Sequence, residues 1–408
     1  MNIPAAKSRR QSLAQLSFPP VILPDDLVFE VLSFLTVNLL MRFRCVCKSW
    51  NSLISSPSFI KIHQKKSERN KQIIRIEHDL TSIVSKCLIV NSWPVRGLVE
   101  NPLITHVDEH HCRLMEDSLY VVGSCNGLVC LLCFNKLENW LYFYNPATRK
   151  VSEKSGSFTR TYRSRSKIAF GFDISTDTYK VVEFCQKSRA VRVFSLGDNT
   201  WRYIESFPDV FIPFKVGRGS RRGGVYLNGT VNWLVFRNDI IYDDSKKRKL
   251  EHYMIISLDL GIETYTQLLP PGDSREKLLN EPTICVLMDC LCFCHINLYM
   301  GTPHFVIWKM KNFGVEKSWS QFLNISHDNL QIKWSENFSQ FCALSYRSVF
   351  PLCHSESSDT LMLANRREGQ LILYNWRINK VGQIITTKRK RWVFLNNYVE
   401  SLVSTNGK

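Results

Sequence analysis

The chain is short of acidic residues: 36 Asp and Glu stand against 53 Lys and Arg, leaving +17 at pH 7. That imbalance suits acidic partners, nucleic acid included, and says nothing about fold. Long apolar runs are missing too. None approaches the roughly 18 residues that a membrane-crossing helix needs. The opening MNIPAAKSRRQSLAQLSF lacks the apolar stretch of a secretory signal. Its Ser, Arg and Lys content would suit a transit peptide; the plainer expectation is a flexible tail over residues 1–19. Catalytic signatures are also lacking. No G-x-S-x-G, H-E-x-x-H or phosphate-loop pattern occurs, so an enzyme reading starts without a nucleophile or a metal. Cysteine, by contrast, is plentiful. Fourteen cysteines without a secretory signal point to a reducing compartment, cytoplasm or nucleus, where thiols serve as small buried hydrophobes.

What is present begins with a helical stretch carrying more apolar surface than it can bury. In LPDDLVFEVLSFL (residues 23–35), Pro24 suits a first helical position, and Asp25 and Asp26 complement the positive end of the helix dipole. Leu27, Val31, Phe34 and Leu35 follow helical spacing, but so do Val28, Leu32 and Leu35 on the neighbouring strip. A surface helix needs one apolar stripe of about 100°. The surplus requires a second partner. VNLLMRFRCV (residues 37–46) and CKSWNSLI (residues 47–54) add two further short helices before Ser-Ser-Pro stops the run. Three such helices cannot enclose a core alone. Either they cap the following domain, or they offer an apolar face to the groove of another protein.

Leu23, Pro24, Asp26, Leu27, Leu32, Leu35, Leu40, Phe43, Arg44, Val46, Cys47, Lys48 and Trp50 fall in the order of a known pattern. Residues 23–63 strongly resemble the F-box of plant F-box proteins. Thr36 stands where that family usually has Pro, and Asn38 where it often has Lys; neither change removes apolar contact surface. The resemblance implies a three-helix F-box at residues 20–63, with a basic connector at residues 64–71. It implies docking to a Skp-type adaptor through Leu23, Pro24, Leu27, Val31, Leu32, Leu35, Leu39, Val46 and Trp50. The apolar excess places Leu27, Leu32 and Leu35 on that face.

Beyond the connector the texture becomes alternating, with short β-like runs every 8–12 residues and turn residues between them. A hairpin unit recurs from Trp140, Val191, Met254, Phe305 and Leu371, at spacings of 51 to 66 residues. A second hairpin precedes most of these units, for example LYVVGSCNGLVCLLCF and GGVYLNGTVNWLVF. Paired hairpins of about 50 residues match a kelch-type propeller blade. Five units are visible. A sixth can be assembled from IIRIEH, KCLIV and a C-terminal strand such as RWVFL, which would close the ring. The expected fold is therefore a small all-α module followed by an all-β domain over residues 72–400, a kelch-like β-propeller of about six blades; the alternative is a run of meandering sheets without closure. SCNGLVCL, YNPATRK, GFDISTDTYKVV, VFSLGDNTWR, GVYLNGTVNWL and IISLDL resemble the F-box-associated domain of the same plant proteins.

Several motifs could carry chemistry of their own. Cys125, Cys130 and Cys133 have the C-x4-C-x2-C spacing of plant-type ferredoxins. However, Asn126-Gly127 is a strong hairpin signal, which pairs Cys125 with Leu128. Alternation then puts Cys130 on the face of Cys125 and Cys133 on the opposite one, so they cannot converge on one cluster. Cys290, Cys292 and Cys294 share a face but are strung out along a strand. THVDEHHCR (residues 105–113) groups histidines with Asp108, Glu109 and Cys112, and reads as a polar loop. VGRGSRRGG (residues 216–224) lacks the dinucleotide spacing and precedes a strand. No metal or cofactor is expected. SKKRKLE (residues 245–251) and TTKRKRW (residues 386–392) could each direct nuclear import or be solvated strand ends.

The resemblances imply a non-catalytic substrate-recognition subunit of a Skp–cullin–F-box ubiquitin ligase, bound to a Skp-type adaptor and through it to a cullin. A basic nucleic-acid-binding propeller is the alternative, although no RNP, KH or OB pattern accompanies the charge. Loops at the ends of a propeller are the expected target-binding elements. The most basic are residues 211–224 and 238–252, with Lys215, Arg218, Arg221, Arg222, Lys246, Lys247, Arg248 and Lys249 forming a positive rim for an acidic target.

Overall fold

In a computed structural model, the structure describes residues 24–78, 87–101, 107–114, 116, 118–159, 166–185, 190–204, 223–237, 249–272, 278–279, 281–299, 301–331, 349–355, 358–365, 368–386, 392 and 394–406. Four helices come first: α1 (Asp25–Leu32), α2 (Val37–Phe43), α3 (Lys48–Ser55) and α4 (Pro57–Ser67). The fourth corrects the three-helix expectation and converts residues 64–67 of the supposed connector into the last turn of a helix. Its cause is local. Ser56 is an N-cap whose Oγ accepts the Phe59 N–H at 3.3 Å, and Pro57 occupies the first turn, where its missing N–H costs nothing. The Ser-Pro that ends α3 therefore also starts α4.

Among the described residues six antiparallel sheets follow, five of four strands and one of five. Blade 1 runs Leu119–Cys125, Leu128–Phe134, Glu138–Asn145 and Lys150–Val151, with Ser155–Thr159 added beside the third strand. Blade 2 spans residues 166–204, blade 3 residues 225–268, blade 4 residues 283–326 and blade 5 residues 349–386. The closing blade is composite. Its inner strand is Phe394–Tyr398, and Gln72–His78, Cys87–Pro94 and Asp108–Arg113 lie outside it. Ile76 pairs with Phe394 and Gln72 with Tyr398. The innermost strands of successive blades pack against one another right round the ring. The expected sixth blade thus forms, closed three residues later than RWVFL suggested.

The core is divided into layers. One buried apolar cluster lies between each pair of neighbouring blades, and a seventh lies within the helical module. Both faces of a blade are therefore buried, which is why strands such as Leu128–Phe134 read as nearly continuous apolar runs. Alternate residues supply alternate layers: Ile73 faces blade 5, whereas Ile74 and Ile76 face blade 1.

A buried ionic knot ties blade 2 to blade 3. Lys180 Nζ sits 2.7 Å from Asp173 Oδ2, donates to the Leu260 carbonyl and lies 3.4 Å from Glu263, which also binds Arg202. Burial opposes charge on Asp173. The Lys180 ammonium and donors from Ser175 and Thr176 outweigh it and hold the carboxyl well below its ordinary value. A depressed folded-state pKa gives stability that is complete above the unfolded carboxylate value and is lost as pH falls below about 4. The urea midpoint should therefore fall on acidification. Asp173→Asn should be less stable than the parent at pH 7 by on the order of 2 kcal/mol, yet lose less between pH 7 and pH 3. Parallel pH curves for the two proteins would refute this role for the knot.

Candidate docking surface

The helical module is a small core with an unusual outside. Leu32, Leu40, Ile54 and Phe59 are buried at its centre, with Val28, Phe29, Leu35, Phe43, Trp50 and Leu53 packed around them. Two edge-to-face pairs, Phe29 with Phe59 at 5.2 Å and Phe43 with Trp50 at 5.4 Å, lock α1 to α4 and α2 to α3. Cys47 caps α3 by accepting the Trp50 N–H at 3.4 Å. Lys66 reaches from α4 to Glu30 Oε1 at 2.7 Å and lies over the Phe34 ring. His63 is buried against the Leu35 carbonyl at 2.8 Å; burial lowers its pKa, so the imidazole is neutral at pH 7.

Against this core, Leu27, Val31, Phe34, Leu39 and Val46 are 39% to 62% exposed. Large apolar side chains left in water over one small module mark an association surface. Pro24 is exposed beside them, and Leu23 lies outside the described residues. Three of the expected docking residues are placed differently. Leu32 is only 3% exposed and belongs to the core, and Leu35 and Trp50 are half-buried against it. Helical spacing left open which apolar strip turned inward. Phe59 of α4 decided it by packing beside Leu32. Phe34 was not among the expected docking residues, although it stood on the same helical strip as Val31.

The propeller has two ends, and the helical module occupies one. The hairpin turns Asn126-Gly127 and Asp177 point to that end: Gly127 lies against Ser401 just after the closing strand, and Lys61 of α4 is 2.6 Å from Asp177. The strand ends Ile204, Val225, Phe236 and Tyr253, between which the two basic segments run, lie at the other end. Of the proposed rim, Lys215, Arg218, Arg221, Arg222, Lys246, Lys247 and Arg248 lie outside the described residues. Lys249 is described, and pairs with Glu251 at 2.9 Å.

The thiols fall as strand alternation requires. Cys125 pairs with Leu128, and Cys125 and Cys130 enter the layer between blades 1 and 2. Cys133 enters the layer on the other side of blade 1. Burial pushes the Cys133 thiol up to about 12, so it is protonated at neutral pH and inert. Cys285 and Cys294 bring their sulfurs to 3.8 Å within the layer between blades 4 and 5. The histidine segment corrects the sequence reading. Residues 108–113 form the outer strand of the closing blade, not a loop. His110 and Cys112 turn inward, and His110 shares a short hydrogen bond with the Tyr144 hydroxyl; Glu109, His111 and Arg113 turn outward. Among the described residues, no group of His, Cys, Asp and Glu has the geometry to hold a metal ion.

The chain is thus a helical module with an open apolar face, mounted on one end of a closed six-bladed ring. Residues 21–62 match the F-box domain, and residues 72–405 match the F-box associated beta propeller domain. The chain belongs to the F-box proteins that carry this propeller. An F-box/kelch-repeat protein of Arabidopsis thaliana is 30% identical over 319 residues, covering 76% of this chain and 80% of its own. A putative F-box/kelch-repeat protein of the same plant is 26% identical, covering 74% and 79%. The F-box protein CPR1 of the same plant is 25% identical, covering 74% and 73%.

Proposed function

We propose that this chain is the substrate-recognition subunit of a Skp–cullin–F-box ubiquitin ligase, with the F-box held by a Skp-type adaptor and the far end of the propeller holding a protein target. The observation that carries this reading is the exposed strip of Leu27, Val31, Phe34, Leu39 and Val46 on a module whose core is otherwise complete. The chain performs no bond chemistry in this role. It raises the effective concentration of the target near an activated ubiquitin carried by other subunits. The cytoplasm or nucleus is the compartment that this assembly and the free cysteines suit.

The test is reconstitution: the purified chain mixed with a Skp-type adaptor and cullin should form a stoichiometric complex on gel filtration. RNA that co-purifies and is released by salt, with no adaptor bound, would favour the nucleic-acid alternative. We further propose that the basic segments meet an acidic target. Neutralising Lys215, Arg218, Arg221, Arg222, Lys246, Lys247, Arg248 and Lys249 together should leave adaptor binding unchanged. Proteins that accumulate when the gene is deleted should then lose capture by at least about tenfold at low salt. Undiminished capture would remove these segments from the target surface.

A further inference from the structure

Residues 399–406 leave the closing strand, and from Glu400 to Val403 the chain serves the F-box and the propeller in turn. Ser401 and Val403 serve the propeller. Both of their carbonyls accept from Asn145 Nδ2, at 2.9 and 2.8 Å, while Asn145 Oδ1 takes the N–H groups of Ala147 and Thr148. Asn145 is thereby fully satisfied in the interior. Val403 also packs into the layer between blades 1 and 2. The seat is tight: a Cβ on Gly127, whose φ is +83°, would stand 2.2 Å from Ser401 Cβ.

Glu400 and Leu402 serve the F-box. Leu402 packs against the module's core of Leu32, Leu40, Ile54 and Phe59. Glu400 Oε2 accepts the Val37 N–H at 3.1 Å, and Oε1 accepts from Gln72 at the start of the closing blade. Thr36 makes no side-chain capping bond to α2. The carboxylate that caps this helix therefore comes from the far end of the chain, where it also complements the helix dipole. Lys61 and Asp177 also pair between the two bodies, but both side chains are solvent-exposed and the pair adds little.

We propose that residues 399–406 are a strap that fixes the orientation of the F-box on the propeller, and that Glu400 and Leu402 are positioning residues for ubiquitin transfer. The consequence for transfer rests on the ligase reading above; the strap itself does not. A rigid link sets where a bound target stands relative to the activated ubiquitin, and a loose one spreads it over a larger volume.

The experiment uses the full chain with spin-labelled unnatural residues at the exposed positions Lys65 and Lys150. The parent should give one narrow distance distribution. Glu400→Ala and Leu402→Ala should broaden it, and exchange of the Val37 amide should rise about tenfold in Glu400→Ala, as for loss of a helix cap. Glu400→Gln should restore both, because its amide oxygen can still accept from Val37 while the Gln72 amide turns to accept from it. Adaptor affinity, read at the exposed apolar strip and not at the α2 cap, should stay within about twofold of the parent for Glu400→Ala. In the reconstituted ligase, the set of propeller lysines modified by self-ubiquitination should widen in the alanine variants. Should Leu402→Ala fail to fold, Glu400→Ala carries the test alone. A parent-like narrow distribution and unchanged Val37 exchange in Glu400→Ala would overturn the strap. Failure of the parent to assemble a ligase would instead overturn the functional reading, with the distance and exchange measurements still deciding the strap.

Discussion

Replacing Val31 with aspartate is expected to abolish capture of the Skp-type adaptor while leaving both domains folded. Val31 is 62% exposed, so a carboxylate there meets water in the free protein and strains nothing. In the proposed complex the same position would be covered. Burying a valine side chain contributes about 1.5–3 kcal/mol, and burying an unpaired carboxylate adds a further penalty. Together they should weaken binding by at least about a hundredfold. Leu32→Asp provides the contrast. Leu32 lies in the module's core with Leu40, Ile54 and Phe59, so a charge there should unfold the F-box itself, with a loss of about 4 kcal/mol or more. Isothermal titration with the adaptor, paired with circular dichroism, separates the two cases. Parent-like affinity in Val31→Asp would remove this strip from the docking surface.

Ending the chain at Trp392 should cost the propeller its cooperative fold. The lost strand, Phe394–Tyr398, is the innermost of the closing blade and pairs residue for residue with Ile76 back to Gln72. Tyr398 is buried in the layer that also holds Ile74, Ile76, Leu88 and Val90, and this layer would open to water. Strand Gln72–His78 would become a bare edge, free to pair with other copies. We expect a melting temperature lower by on the order of 10 °C or more, with aggregation on concentration. The outcome is read by calorimetry and light scattering. A truncated chain that melts with the parent and stays monomeric would show that the ring does not depend on this closure.

Both outcomes turn on features that were only partly legible in the residues. Asn126-Gly127 and Asn228-Gly229 adopt the positive φ values that an Asn-Gly hairpin requires, so turn chemistry located two of the hairpins without any tertiary information. The period of two then assigned Cys125, Cys130 and Cys133 to faces, and the layers agree. Two local signals were misread. Ser56-Pro57 marked the start of α4 as much as the end of α3. The polar run at residues 108–113 alternates inward and outward as any outer strand does, but its charged side chains disguised it as a loop.

The sequence by itself determined the helical module, the four-stranded repeat, the turns and the faces of the strands, because each rests on periodicity or on the φ preferences of one or two residues. Only the tertiary structure decided which strip of α1 is buried, which strand closes the ring and what caps α2. Those outcomes depend on partners far away in the chain: Phe59 for Leu32, Phe394–Tyr398 for Gln72–Ile76, and Glu400 for Val37. With apolar residues over more than half the circumference of α1, local spacing offers several equivalent inward faces. Long-range packing removes that degeneracy by filling one of them and leaving the other exposed.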